Sequence, residues 1–344
     1  MFDVVTIGAA TRDIFIESPF FKIVRDPKHL ERLGFPTGEA QCFALGSKIE
    51  VGAPFETIGG GAANAAVTFR RQGFRVGTFA KIGRDTSGQA TIADLRHEGV
   101  TPLVATDSKY RTSFSVILVS PGGERTILDY RGASQHVRTR DVPLTKLRAP
   151  WAYISTGHVA LSVMQVLIRH LKKTGSRIAM NPSKFYLEMG MKKLRPILGE
   201  LDVILLNREE AAYLTGLSYH AEKRIFKKFD EVVRGLAVMT DGPRGVLVSD
   251  GARIYHAHIF KNKKIQDRTG AGDAFGSGFV AGLIRTKSAK RTTSPSDVQF
   301  AIRLGSANAT SVVEKVGATP GILHKSSFVR SSRWRYLKVF VKPL

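Results

Sequence analysis

Asp267-Arg268-Thr269-Gly270-Ala271-Gly272-Asp273-Ala274-Phe275 places three small residues where a strand hands over to a helix. Asp273 follows at once, and a helix rich in small residues continues behind it. Backbone this bare lets several N–H groups converge on an anion at the helix N-terminus, where the dipole also favours negative charge. Asp273 then lies in the first turn, beside that anion. A cradle with an adjacent carboxylate suits phosphoryl transfer: the cradle holds the phosphates, and the carboxylate takes a proton from the attacking hydroxyl. In isolation Asp273 reads better as an acidic residue balancing a helix dipole, a common use of Asp; a second segment of the chain reverses that. Five glycines from Gly270 to Gly282 add a second requirement. Each costs up to ~1 kcal/mol against alanine in a helix, so their concentration predicts a helix packed tightly against its neighbours.

A second segment, Gly59-Gly60-Gly61-Ala62-Ala63-Asn64, precedes another helical pattern. Its glycines invite a dinucleotide-binding reading, but Asn64 fills the sixth position and the segment is not the first strand–helix turn of the chain. No GxxxxGK[ST] sequence occurs, so a nucleotide would need a cradle other than a P-loop. Asn64 offers two donors and an acceptor, as a polyol requires.

In this order and at this separation, the two segments closely resemble the C-terminal and N-terminal signatures of the PfkB/ribokinase family of sugar and nucleoside kinases. The resemblance runs roughly over residues 4–323. It implies an α/β fold: a doubly wound, mainly parallel sheet with helices on both faces, plus a small β-sheet lid over the acceptor. It implies ATP and Mg2+ as cofactors, a sugar or nucleoside as acceptor, and a homodimer through the lid. Asp273 becomes the catalytic base, with Gly270, Ala271 and Gly272 as the anion hole. Asp13, Gly59, Gly60 and Asn64 take the acceptor. Asn207 and Glu210 match the family's Asn-x-x-Glu motif, which positions magnesium and phosphate, partly through water. The same two residues also read as a helix N-cap and its first turn. Thr240, Asp241 and Gly242 border the ATP site, and Asn308 with the loop 316–321 forms the far adenine wall. In several relatives the counterparts of Asp267 and Thr269 help bind a monovalent cation such as K+. Arg268, where the family usually carries a small residue, departs from the pattern at that cation site. Thr11 stands where ribokinase itself has Asn, which argues against strict ribokinase specificity.

Three alternatives stay open. One is a nucleoside kinase with a different pocket on the same fold. Another is a phosphosugar kinase, with Arg12, Arg111 or Arg131 meeting a substrate phosphate. The third is a noncatalytic, nucleic-acid-binding or regulatory protein, raised by a net charge of +23 from 52 Lys+Arg against 29 Asp+Glu. The basic residues are spread along the chain, and the clusters at 223–228, 285–291 and 325–342 carry no nucleic-acid motif. The expectation is therefore a generally cationic surface rather than a nucleic-acid partner. Cys42 is the only cysteine, which excludes an intramolecular disulfide and Cys-rich zinc sites. No run approaches the ~20 apolar residues of a membrane span, and no targeting segment is visible, so a cytoplasmic protein is expected.

Short apolar runs alternate with helical patterns. Residues 4–7, 151–155, 177–180, 203–206 and 236–240 read as buried strands, and 62–72, 161–173, 221–234 and 295–313 as helices. Lid strands are expected near 13–17, 50–57 and 112–131, with a hairpin turn at 121–124. Residues 18–48 read as a loop or short helices, and 325–344 as a basic C-terminal tail on a single kinase domain.

Overall fold

Val4–Ile7 is buried at all four positions, as a strand covered on both faces must be. In the computed structural model, which describes residues 1–35, 38–120, 125–286 and 293–344, it lies between Val76–Phe79 and Trp151–Ser155, parallel to both. The sheet runs on in parallel through Arg177–Asn181, Val203–Asn207 and Leu236–Thr240. It then turns antiparallel through Val246–Ser249, Arg253–Ala257 and Val339–Pro343, while Thr101–Pro102 closes the other edge. This is the expected doubly wound, mainly parallel α/β sheet.

Successive side chains on each strand enter different cores, as a two-residue period dictates. Val4, Trp151, Tyr153 and Ala179 pack with the helices Gly61–Arg71, Ala271–Arg285 and Pro295–Val313. Val5, Ile7, Ala152, Ile154 and Met180 pack with Leu161–Lys173, Arg208–Thr215 and Glu222–Asp230. The last of these is shorter than expected. Val232 and Val233 continue the apolar spacing through a turn, in which the Val233 N–H donates to the Phe229 carbonyl. The glycine-rich helix is indeed tightly packed: a Cβ on Gly282 would lie 2.5 Å from the Ala301 Cα.

A separate four-stranded sheet runs in the order Arg125–Tyr130, Phe114–Val119, Thr11–Glu17, Phe55–Gly59. Its last strand starts later than the sequence led us to expect, after Pro54, which has no N–H for a ladder. The turn expected at 121–124 lies outside the described residues. Within 18–48, strands Lys22–Arg25 and Glu39–Cys42 form a ribbon enclosing the helix Pro27–Arg32.

The segment from 325 onward is not an appendage. Phe328 and Trp334 are buried in the core, and Val339–Pro343 is the tenth strand of the main sheet. Its Lys and Arg residues gave it the look of a tail, but its apolar residues decide its place. Tyr336, between them, stays exposed.

Candidate active site

The chain leaves Val4–Ile7 towards one edge of the sheet and returns at Trp151–Ser155 on its other side. Such a reversal opens a crevice beyond the carboxyl ends of the two strands. A pocket of about 340 Å³ sits there. Its walls include Thr11 and Asp13 from one strand exit, Gly157 and His158 from the other, and Asn64, Gly270 and Asp273 from two helix N-termini. Lid residues Ser115, Ile117, Ile127, Asp129 and Arg131 cover it.

Asp13 is almost fully buried and accepts a hydrogen bond from the Thr11 hydroxyl at 2.9 Å. Burial pushes its carboxyl up to about 6, against the downward pull of the Thr11 and Ser115 hydroxyls. Gly59 makes the room: a Cβ there would lie 2.0 Å from Asp13 Oδ2. Gly60, at φ +89°, caps the next helix and passes so close to the Ala9 carbonyl that a side chain would collide with it. Asn64 sits in the first turn of that helix. Its Nδ2 donates to Asp273 Oδ2 at 3.0 Å, and its Oδ1 is buried without a partner.

Asp273 occupies the third position of the helix Ala271–Arg285, whose N-cap Gly270 adopts φ +74°. Burial raises its carboxyl above the usual carboxylate range, opposed by the Asn64 hydrogen bond. The Gly270 carbonyl accepts from the Ala274 N–H. The Gly272 and Asp273 N–H groups, at the second and third helical positions, have no intrahelical acceptor.

Two further cavities meet at this N-terminus. One, of about 120 Å³, is lined by Asn207, Glu210, Thr240, Gly272 and Asp273. Asn207 and Glu210 form a reciprocal capping box: Asn207 Oδ1 accepts from the Glu210 N–H at 2.8 Å, and Glu210 Oε2 accepts from the Asn207 N–H at 2.9 Å. Both readings of these residues therefore hold together. Burial first, then the charges of Glu209 and Asp273, raise the Glu210 carboxyl. A half-buried carboxylate repelled by another and sharing a cavity with it fits a hydrated divalent cation, which Mg2+ usually is when protein-bound. The other cavity is a groove of about 300 Å³ between the turn Gly242, Pro243, Gly245 and the helix residues Ser306, Ala309, Thr310 and Val313. Ile259, Ile265 and Phe275 make it largely apolar, and it ends on Ala271 and Gly272. Exposed Arg268 stands at its mouth.

Thr240 and Gly242 line this groove as expected, but two other residues do not. Asp241 is buried beneath it, accepting from Arg208, Arg244 and the Tyr219 hydroxyl at 2.6 to 2.9 Å. These donors hold its carboxyl below the ordinary range despite burial. Asn308 is also buried: its Nδ2 donates to the Ala274 carbonyl and its Oδ1 accepts from the Leu323 N–H, both at 2.9 Å. Its amide is spent on backbone and on the Thr68 hydroxyl, and residues one or two positions away form the wall. The loop 316–321 sits under the turn that opens the helix Ala271–Arg285 instead, with Ala318 against Gly270.

Asp267 and Thr269 lie together as expected, but with an additional partner. Asp267 Oδ1 accepts from the Thr269 N–H and hydroxyl at 2.8 and 2.7 Å, and Oδ2 from the Gly317 N–H at 3.0 Å. Arg125 Nη1 stands 3.3 Å from Oδ1. Of the three arginines offered for a substrate phosphate, Arg12 pairs with Glu56 and Asp94, and exposed Arg111 faces Asp85. Only Arg131 lines the 340 Å³ pocket, between Asp129 and His158. Sequence reasoning missed Ser115, Asp129 and His158. Asp129 was findable: on the strand Arg125–Tyr130 it lies two residues from Ile127 and so shares its face.

The profile of the pfkB family carbohydrate kinases matches residues 38–325. The chain belongs to this family. Ribokinase of Haemophilus influenzae is 29% identical over 275 residues, covering 77% of this chain and 83% of that protein. Cytidine kinase of Thermococcus kodakarensis is 30% identical over 270 residues, covering 75% and 88%. Among solved structures, Arabidopsis thaliana ribokinase complexed with ribose and ATP superposes with a TM-score of 0.75 at 19% identity, covering 97% of this chain and 98% of that one. This pfkB chain is thus a sugar or nucleoside kinase with the ribokinase-like fold. Among the described residues no helix is long and apolar enough to cross a membrane.

Proposed function

We propose that the chain transfers the γ-phosphoryl of ATP to a hydroxyl of a sugar or nucleoside, with Asp273 as general base. Asp13, Gly60 and Asn64 hold the acceptor. Its hydroxyls donate to the Asp13 carboxylate and to Asn64 Oδ1, the buried acceptor that has no protein partner. The reacting hydroxyl then faces Asp273. As its oxygen bonds the γ-phosphorus and the bond to the β-bridging oxygen breaks, the hydroxyl proton passes to an Asp273 carboxylate oxygen and ADP leaves. The Gly270–Gly272 backbone and the Asp273 N–H stabilise the charge that spreads over the transferred group. The apolar groove takes adenine, with Thr240 and Gly242 on its near wall. Asn207 and Glu210 hold Mg2+ through water, and that ion neutralises the phosphates when bound. Lid residues exclude water from the transfer. Leu128 and Tyr130, exposed on the outer lid face, supply the dimer contact, and a cytoplasmic location supplies ATP.

One observation carries this reading: Asp273 is a wall of both the acceptor pocket and the cavity that holds Glu210, at a helix N-terminus with free N–H groups. The test is a coupled ADP-release screen of pentoses, hexoses, nucleosides and sugar phosphates. Acceptor-dependent turnover with one of the first three classes is expected. Turnover confined to sugar phosphates would shift the reading to a phosphosugar kinase using Arg131. ATP binding with no acceptor-dependent ADP release across the screen would overturn it.

A further inference from the structure

The carboxylate of Asp267 ties the anion-hole turn to two other parts of the molecule at once. It grips its own turn through Thr269, the loop 316–321 through the Gly317 N–H, and the lid through Arg125. Arg125 opens the strand Arg125–Tyr130, whose next inward residues, Ile127 and Asp129, wall the acceptor pocket. A second lid strand reaches the same loop, where the Thr57 and Thr319 hydroxyls meet at 3.1 Å. Asp267 is nearly buried, and the Arg125 side chain about one quarter exposed.

This arrangement does not fit a free monovalent cation. Asp267 already has a full positive charge 3.3 Å from Oδ1 and three hydrogen-bond donors on its two oxygens. A second cation would meet the guanidinium at a few ångströms, where like charges repel.

We propose that Arg125 is the cation of this site: a positioning residue, carried by the lid, that neutralises Asp267 and so orders the turn leading into Gly270–Gly272. The inference rests on the phosphoryl-transfer reading for the turn's purpose. A charge carried by the lid reaches Asp267 only when the lid is seated, so seating the acceptor and ordering the anion hole become one event. Turnover then needs no added K+, and the charge arrives in register with the acceptor rather than from solution.

The test compares KCl with tetramethylammonium chloride at equal ionic strength, using the full chain, with melting temperature as the first readout. It requires no substrate, so its outcome stands apart from any failure of the kinase reading. A cation bound only by the folded state raises the melting temperature as its concentration passes its dissociation constant. The wild type is expected to show no K+-specific rise. Arg125→Ala is expected to acquire one, and Arg125→Lys, which keeps the charge, to stay indifferent. Once an acceptor is known, kcat provides the second readout. Arg125→Ala should lose roughly tenfold or more in kcat, the effect of one misplaced positioning group, with added K+ or guanidinium restoring part of it. A wild-type enzyme that is stabilised or activated specifically by K+ overturns the proposal, and that measurement needs no variant to fold. Full activity of Arg125→Ala without a small cation also overturns it.

Discussion

Replacing Gly59 by alanine tests the acceptor site with a single methyl group placed outside the chemistry. The backbone there lies outside the left-handed region, so alanine brings no conformational strain. Its Cβ, however, would lie 2.0 Å from Asp13 Oδ2, 2.3 Å from Cγ and 2.5 Å from Oδ1. The Asp13 backbone cannot yield, because it is paired with Ser115 on one side and Thr57 on the other. The carboxylate must therefore swing away by more than an ångström. A hydrogen bond to a charged group contributes about 1.5–3 kcal/mol. Losing two acceptor hydroxyls should then cost about 3–6 kcal/mol, or about 10²–10⁴-fold in kcat/KM for the acceptor. The assay is coupled ADP release with the acceptor varied at saturating ATP, alongside ATP affinity by calorimetry. ATP affinity should not change, since the nucleotide groove shares no wall with Gly59. A folded variant with unchanged acceptor kcat/KM, or one that loses ATP affinity instead, would refute the assignment of Asp13.

Asp13→Asn should reveal the stability given up for that site. The native carboxyl is raised from 3.8 to about 6, so its contribution to folding is full below pH ~4 and lost as pH rises through about 6. The variant should be more stable than wild type by up to ~3 kcal/mol at pH 7.5 and show no gain near pH 4, measured by urea unfolding; equal differences at the two pH values would contradict this. The same titration should make acceptor kcat/KM fall as the pH drops through about 6. Trp334→Ala should lose about 3–5 kcal/mol of stability, because the ring is buried edge-on against Phe260 at 5.0 Å; a loss too small to measure would return residues 325–344 to the status of a tail.

The main sheet was legible because its parallel strands are short, mostly apolar runs. Val4–Ile7, Trp151–Ser155 and Leu236–Thr240 fall at the residues their composition marks. The helix start at Gly270 was legible because glycine-rich backbone before an acidic residue marks a strand-to-helix turn. Asp241 and Asn308 show where local pattern fails. Both sit beside true groove residues in sequence, yet their side chains turn inward to buried partners, arginines for one and backbone for the other. Which way a side chain turns depends on contacts distant in sequence, such as Arg208 and Leu323. The closing strand Val339–Pro343 was hidden for a similar reason: its partner, Arg253–Ala257, lies far up the chain, and charge dominated the reading of its own residues. Arg125 reaches Asp267 across 142 positions, and no local signal announces that contact.

The central claim is that Asp273 takes the acceptor proton. Asp273→Asn is nearly isosteric and can still hydrogen-bond Asn64, so the fold and ATP binding should survive. The decisive measurement is kcat of the purified variant with the acceptor identified by the screen, its ATP affinity confirmed by calorimetry. The account predicts a fall of at least ~100-fold, the scale of a lost general base, with ATP affinity retained. A correctly folded variant that turns over at close to the wild-type rate would contradict it.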